Sequence, residues 1–274
     1  MKYVEWDALR SASWALLSSS GSYTGHHHDA GGYFTFVKCE TGAKLWCYLR
    51  PKVESGEIVS DMNTLVDIIA DCLDTNSMGK HAEPVSLVLK PGTILIQPAG
   101  CIHLVYTLEN SVFTGGHFFM LDGMHFTEVT RACAVATRTD ITNAFHPGCI
   151  RSLCRIALSI IYNHRQSVLR KPFISLARML VWSDLYASGD ISSKEDPFLY
   201  NTESDLELEA ARAAVELVLE HNNIRLEDIR PKDLMHREWL ASTEAGADWR
   251  DPGTETLAVP DKRDLFNAFK GVAL

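Results

Sequence analysis

The chain has 274 residues, 46% of them hydrophobic, so it can bury a substantial core as one large domain or two smaller ones. Its 35 acidic and 26 basic residues give a net charge of −9, which argues against nucleic acid as a direct ligand and is compatible with a basic peptide partner. No apolar run is long enough to span a bilayer, the first residues lack the pattern of a signal peptide, and the seven cysteines form no CxxC pair; the expectation is a soluble protein of the nucleus or cytoplasm, not membrane-bound, with reduced thiols.

Short strands come first, over residues 14–17, 22–29, 33–39 and 44–49, separated by Gly-rich or polar turns. A helical insert is expected at about residues 58–80, where residues 62–73 repeat apolar side chains at helical spacing. Strands return over residues 85–89, 93–97, 102–108 and 111–120. Eight strands suffice for a minimal double-stranded β-helix, a jelly-roll or cupin-like barrel whose mouth can hold a small ligand. The first strand lies close to Met1, so flanking elements that brace such a barrel are expected to be missing or supplied by another chain.

From about Phe126 the pattern turns helical, over residues 127–137, 148–163 and 172–186. A polar loop at 188–202 precedes an amphipathic helix at 203–221, with acids in its first turns and Asn222-Asn223 as its stop. Residues 245–262 read as loop and 263–269 as a short helix. The fold class expected is therefore α+β, with a barrel over residues 1–125 and a C-terminal helical region over 126–274. Those helices can brace the barrel, contact a substrate or support a homo-oligomer. The basic clusters at 151–155 and 165–171 read as solvated helix faces.

Chemistry concentrates in Thr24-Gly25-His26-His27-His28-Asp29, in Lys44, and in His103 of Pro98-Ala99-Gly100-Cys101-Ile102-His103. Side chains two apart on a strand share a face, so His27 and Asp29 reach one ion while His28 points away. His26 and His28 share the opposite face, without an acidic partner in the run. Two imidazoles and a carboxylate are the ligand set of non-haem Fe(II) oxygenases, whose remaining positions stay open for co-substrate and dioxygen. The bland alternative for His103 is a hydrogen-bonded core histidine. Order and shared β-rich context favour the ligand.

Residues 14–120 resemble a Jumonji C (JmjC) domain, from the family of 2-oxoglutarate-dependent Fe(II) oxygenases that includes protein hydroxylases and histone lysine demethylases. The resemblance rests on Thr24-x-x-His27-x-Asp29, Gly42-x-Lys44-x-Trp46, Lys90-Pro91-Gly92 leading to Pro98-Ala99-Gly100-x-x-His103-x-Val105, and Gly115-Gly116-His117-Phe118, in the family's order. It implies that His27, Asp29 and His103 hold the iron, that Lys44 pairs with the distal carboxylate of 2-oxoglutarate, and that Thr24 hydrogen-bonds to it. Burying Lys44 without an anion would cost several kcal/mol, a cost that a dicarboxylate removes. Thr24 has the wrong parity to share a face with His27 in a regular strand, so its role requires a bulge near Gly25.

Two positions depart from the family pattern. Val37 stands where members commonly carry a polar or phenolic side chain, with Thr35 or Tyr33 as substitutes. His117 stands where some members carry asparagine, and either contacts co-substrate or bound oxygen or fills the barrel mouth. The activity implied is an oxygenase acting on a protein or peptide, by hydroxylation or by N-methyl-lysine demethylation. The alternatives are a JmjC-like metal-binding scaffold with little turnover, favoured by Val37, and a cupin-type metal protein without 2-oxoglutarate, disfavoured by Lys44.

Overall fold

A computed structural model describes residues 13–51, 82–137, 149–162, 166–186, 205–231 and 251–260. The expected insert at 58–80, the loop at 188–202 and the helix at 263–269 lie outside the described residues.

Eight strands occupy the expected places: β1 (Ser13–Ser18), β2 (Tyr23–His27), β3 (Phe34–Thr41), β4 (Lys44–Pro51), β5 (Ala82–Leu89), β6 (Ile94–Gln97), β7 (His103–Thr107) and β8 (Ser111–Phe118). They form two four-stranded sheets, ordered β1-β8-β3-β6 and β2-β7-β4-β5, in which every neighbouring pair is antiparallel. In β3 the side chains of Thr35, Val37 and Cys39 are buried, whereas Phe36 and Glu40 are exposed, as expected of a strand with one face inward. Val37, Cys39 and Phe113 from one sheet pack with Trp46, Leu89 and Val105 from the other. The two sheets therefore share one core, as in a sandwich.

The helical region contains α1 (Met124–Thr137), α2 (Cys149–Tyr162), α3 (Arg170–Val181), α4 (Asp205–His221) and α5 (Leu226–Ile229). Helix α3 is shorter than the expected element at 172–186, because the chain turns at Trp182 into a separate 3-10 turn, Ser183–Tyr186. Helix α4 ends where the two asparagines stand, with Asn223 in the left-handed region at φ 57°. Residues 245–262 are not wholly loop: β10 (Thr256–Ala258) pairs with β9 (Ser167–Leu169). The Asn222 amide clamps that strand by bonding both the N–H and the C=O of Ala258. The clusters at 151–155 and 165–171 are not simply solvated, because Arg151 and Arg155 both bond Glu207 on α4, and Lys171 donates to the carbonyl of Asp251.

The helices and strands meet behind the loop that follows β2 and the loop that precedes β7. Tyr33, Leu49, Ala82 and Ile102 from the strand region join the core of α1 to α4. Gly32 and Gly100, at φ 74° and 72°, lie against α1 so closely that a Cβ would collide with Thr127 at the first and Thr130 at the second. Thr127 also donates to the Gly32 carbonyl at 2.8 Å. Helix α1 thus backs both the loop that follows Asp29 and the loop that precedes His103. No helix among the described residues is long and apolar enough to cross a membrane, and the six described cysteines are free.

Candidate metal centre

His27 on β2 stands directly opposite His103 on β7, with ring centroids 4.2 Å apart. Asp29 follows β2 by two residues, just before the 3-10 turn Ala30–Gly32. The candidate ligand atoms of these three side chains all lie within 4.8 Å of one another. The His27 Nδ1 is 2.8 Å from the carbonyl of Gly25, and the His103 Nδ1 is 3.0 Å from that of Cys101. A carbonyl only accepts, so each bond places the proton on Nδ1 and frees the Nε2 lone pair. Burial, and secondly the neighbouring His27, push the His103 pKa down to about 4, which favours the neutral imidazole that a metal requires.

The rest of the histidine run stays outside the trio. His28 bonds back to its neighbour's carbonyl, Nδ1 to Asp29 O at 2.9 Å. The Nε2 of His26 is buried without a hydrogen-bond partner among the described residues, and burial lowers its pKa.

The bulge expected near Gly25 is present, because the β2–β7 register shifts between Thr24 and His27. Thr24 opposes Val105, which opposes Trp46 on β4, and directly opposed residues share a face. Thr24 therefore shares the inner face with His27 and remains exposed there. Lys44 lies on that face of β4 two residues before Trp46, and is 5% exposed. Its ammonium donates to Ser18 Oγ at 2.9 Å and sits 5.0 Å from the centre of the Phe113 ring. Among the described residues no carboxylate pairs with it, and burial lowers its pKa.

Of the two candidate substitutes for the missing polar side chain at Val37, Thr35 faces the site. It donates to Asp29 Oδ2 and lies 2.9 Å from His117 Nδ1. Tyr33 instead stacks on Phe119 at 4.0 Å and directs its hydroxyl toward Cys149 and Ser152 on α2, where burial raises its pKa. Val37 is fully buried in the intersheet core.

Two further residues flank the centre: Gln97, to which sequence reasoning gave no role, and Trp46, which entered it only as part of the motif Gly42-x-Lys44-x-Trp46. Gln97 is buried and its Nε2 lies 3.2 Å from Asp29 Oδ2 and 3.0 Å from His103 Nδ1. Trp46 donates to the Gln97 Oε1 at 3.1 Å and stacks on His103, with centroids 5.0 Å apart and planes 8° from parallel. The available signal was an amide ending the apolar run Ile94-Leu95-Ile96 on the inward parity of Leu95.

Fold and cluster together define an α+β protein in which two four-stranded antiparallel sheets carry a two-histidine, one-carboxylate cluster. Its relatives are JmjC proteins, as the motifs indicate. The JmjC domain-containing histone demethylation protein 1 of Caenorhabditis elegans is 28% identical over 134 residues, covering 48% of this chain and 12% of that protein. The protein of the same name from Debaryomyces hansenii is 29% identical over 123 residues, covering 39% and 22%. Lysine-specific demethylase 2A of Xenopus tropicalis is 24% identical over 163 residues, covering 58% and 14%. The chain spans between 12% and 28% of the length of such relatives. No family model matches. A solved chain titled as Drosophila melanogaster CENP-C bound to CAL1 aligns with a TM-score of 0.27 and 9% identity over 39% of this chain and 61% of that one, too low to carry an argument.

Proposed function

We propose that this chain is an Fe(II)- and 2-oxoglutarate-dependent oxygenase of the hydroxylase or N-methyl-lysine demethylase type, acting on a protein or peptide. The observation that carries the reading is the convergence of His27, Asp29 and His103 within 4.8 Å, with the buried Lys44 free of a carboxylate among the described residues. The strand orders β1-β8-β3-β6 and β2-β7-β4-β5 support a double-stranded β-helix, divided from the helical region near residue 125.

The donor set fits ferrous iron. With Nδ1 of each histidine bonded to a backbone carbonyl, Nε2 would be the atom that holds the metal, and one carboxylate would leave residual positive charge to attract an anionic chelator. Lys44 and Thr24, on the same inner face, would hold the far carboxylate of 2-oxoglutarate, the lysine as a point charge and the hydroxyl as a donor. His117 lies on β8 opposite Thr35, and Trp46 stacks on one face of His103. When bound, iron and 2-oxoglutarate would supply, with dioxygen as the oxidant, the hydroxylation of a substrate C–H bond, one oxygen atom going to the substrate and the other to succinate as carbon dioxide leaves; at an N-methyl carbon the product releases formaldehyde.

A net charge of −9 favours a basic peptide, and the histone demethylases among the relatives point to a nuclear protein substrate. A second reading, a metal-binding interaction module with little turnover, is favoured by Val37 being packed into the core where a polar contact to co-substrate is expected. The test is anaerobic purification with Fe(II), followed by succinate measurement on basic peptides with wild type and Lys44→Ala. Succinate lost in the variant is the expected result. Iron binding without succinate favours the second reading, and failure to bind iron overturns both.

A further inference from the structure

We propose that two tryptophan-anchored chains of hydrogen bonds, through Thr35 and through Gln97, converge on Asp29 Oδ2 and reserve the other carboxylate oxygen for the metal. The proposal rests on the metal-centre reading above and assigns Thr35, Gln97, His117, Trp14 and Trp46 as positioning residues within it.

Each chain has its direction set by its far end. An indole N–H only donates. Trp14 Nε1 lies 3.2 Å from His117 Nε2, so that nitrogen accepts and the proton of His117 sits on Nδ1. The Nδ1–H then donates to Thr35 Oγ1 at 2.9 Å, and the threonine hydroxyl, its oxygen already accepting, donates its own proton to Asp29 Oδ2. In the second chain Trp46 Nε1 donates to Gln97 Oε1 at 3.1 Å, which fixes which end of the amide is oxygen. The Gln97 Nε2 therefore faces Asp29 Oδ2 at 3.2 Å as a donor. Two donors thus arrive at one oxygen, and among the described residues no hydrogen bond is made to Oδ1.

The consequence is a carboxylate held for single-oxygen ligation. A bidentate aspartate would occupy an additional position, whereas a chelating co-substrate and dioxygen need three left open beside three protein ligands in an octahedral site. Partners behind a metal ligand fix its orientation, and their loss commonly weakens metal affinity by about 10- to 100-fold. Gln97 carries a further constraint, because its Nε2 is also 3.0 Å from His103 Nδ1, the atom that bonds the Cys101 carbonyl. An amide donor there opposes the Nδ1–H tautomer, so metal on Nε2 directs the Gln97 hydrogens to Asp29 and leaves Nδ1–H to Cys101. His117 on this account acts through Thr35 rather than on co-substrate.

The test is Mn(II) affinity by calorimetry on the purified full chain, without co-substrate or turnover, with circular dichroism to verify folding. Thr35→Val and Gln97→Leu are each expected to weaken Mn(II) about tenfold or more, and Thr35→Ser, which keeps the hydroxyl, to bind like wild type. Trp46→Phe keeps the stack on His103 but removes the N–H; it is expected to weaken Mn(II) in the wild-type background and to add nothing in Gln97→Leu, since it acts through the amide. Wild-type affinity in both Thr35→Val and Gln97→Leu, or equal losses from Trp46→Phe in both backgrounds, overturns the proposal while leaving the metal centre standing. Absence of Mn(II) binding by wild type overturns the metal-centre reading itself, and the proposal with it.

Discussion

Glu128 in the helical region and Asp29 between the sheets are both acidic groups enclosed by donors, and their surroundings differ in one respect. Glu128 is 2% exposed, and both its oxygens are used: Oε1 accepts from Tyr186 at 2.6 Å and faces Arg178 at 3.7 Å, and Oε2 accepts from Ser175. Asp29 has its donors gathered on Oδ2, and its candidate ligand atom lies within 4.8 Å of those of His27 and His103. A saturated buried acid ties elements together, here α1 to α3 and to the turn at Ser183–Tyr186. An acid and two imidazoles with lone pairs converging form a binding position.

The sharpest way to break this contrast is to remove ligands. His27→Ala and Asp29→Ala are each expected to abolish Mn(II) or Fe(II) binding and succinate formation while the protein stays folded by circular dichroism, because neither side chain belongs to an apolar core cluster. Metal retained in either variant would place the binding position elsewhere.

Glu128→Ala is the converse experiment. It leaves Arg178 buried without its carboxylate, and removing one partner of such a pair costs about 3–5 kcal/mol. Denaturant unfolding is expected to show that loss, with Mn(II) affinity of the folded protein unchanged. A change in affinity as large as the change in stability would mean that the two regions are not energetically separate.

Lys44 tests the contrast within the strand region, since it is a buried charge whose described partners are a hydroxyl and an aromatic ring. Lys44→Met keeps the apolar stem and deletes the charge. A hydrogen bond to a charged group contributes about 1.5–3 kcal/mol, so apparent affinity for 2-oxoglutarate is expected to fall about 10- to 100-fold. Metal affinity is expected to hold, and stability without co-substrate not to fall, because desolvation of an ammonium is relieved. Unchanged dependence on 2-oxoglutarate would remove the lysine from the site.

The smallest effect belongs to His26. Its buried Nε2 has no partner among the described residues, so His26→Ala is expected to keep the metal and to shift stability by no more than about 0.5 kcal/mol. Loss of metal here, with retention in His27→Ala, would show that the strand register is wrong.

What the sequence determined by itself was whatever is local. The eight strands follow from apolar runs of four to eight residues between turn formers, and the two-residue period of an extended segment selected His27 with Asp29, although β2 ends at His27 rather than running to residue 29 as expected. Even the bulge between Thr24 and His27 was legible, because parity forbids both on one face without it. Tertiary structure decided what depends on which edges meet. Thr35 rather than Tyr33 faces the site because the ring of Tyr33 packs on Phe119 and its hydroxyl is turned to α2. Gln97 closes on Asp29 and His103 because β6 lies beside β3, and no local pattern states that adjacency. The ladder of β9 with β10 joins residues 167–169 to 256–258, and neither three-residue segment carries enough periodicity to announce itself. A strand's parity is written in its own residues; its neighbour is chosen by the burial and hydrogen bonding of the whole chain.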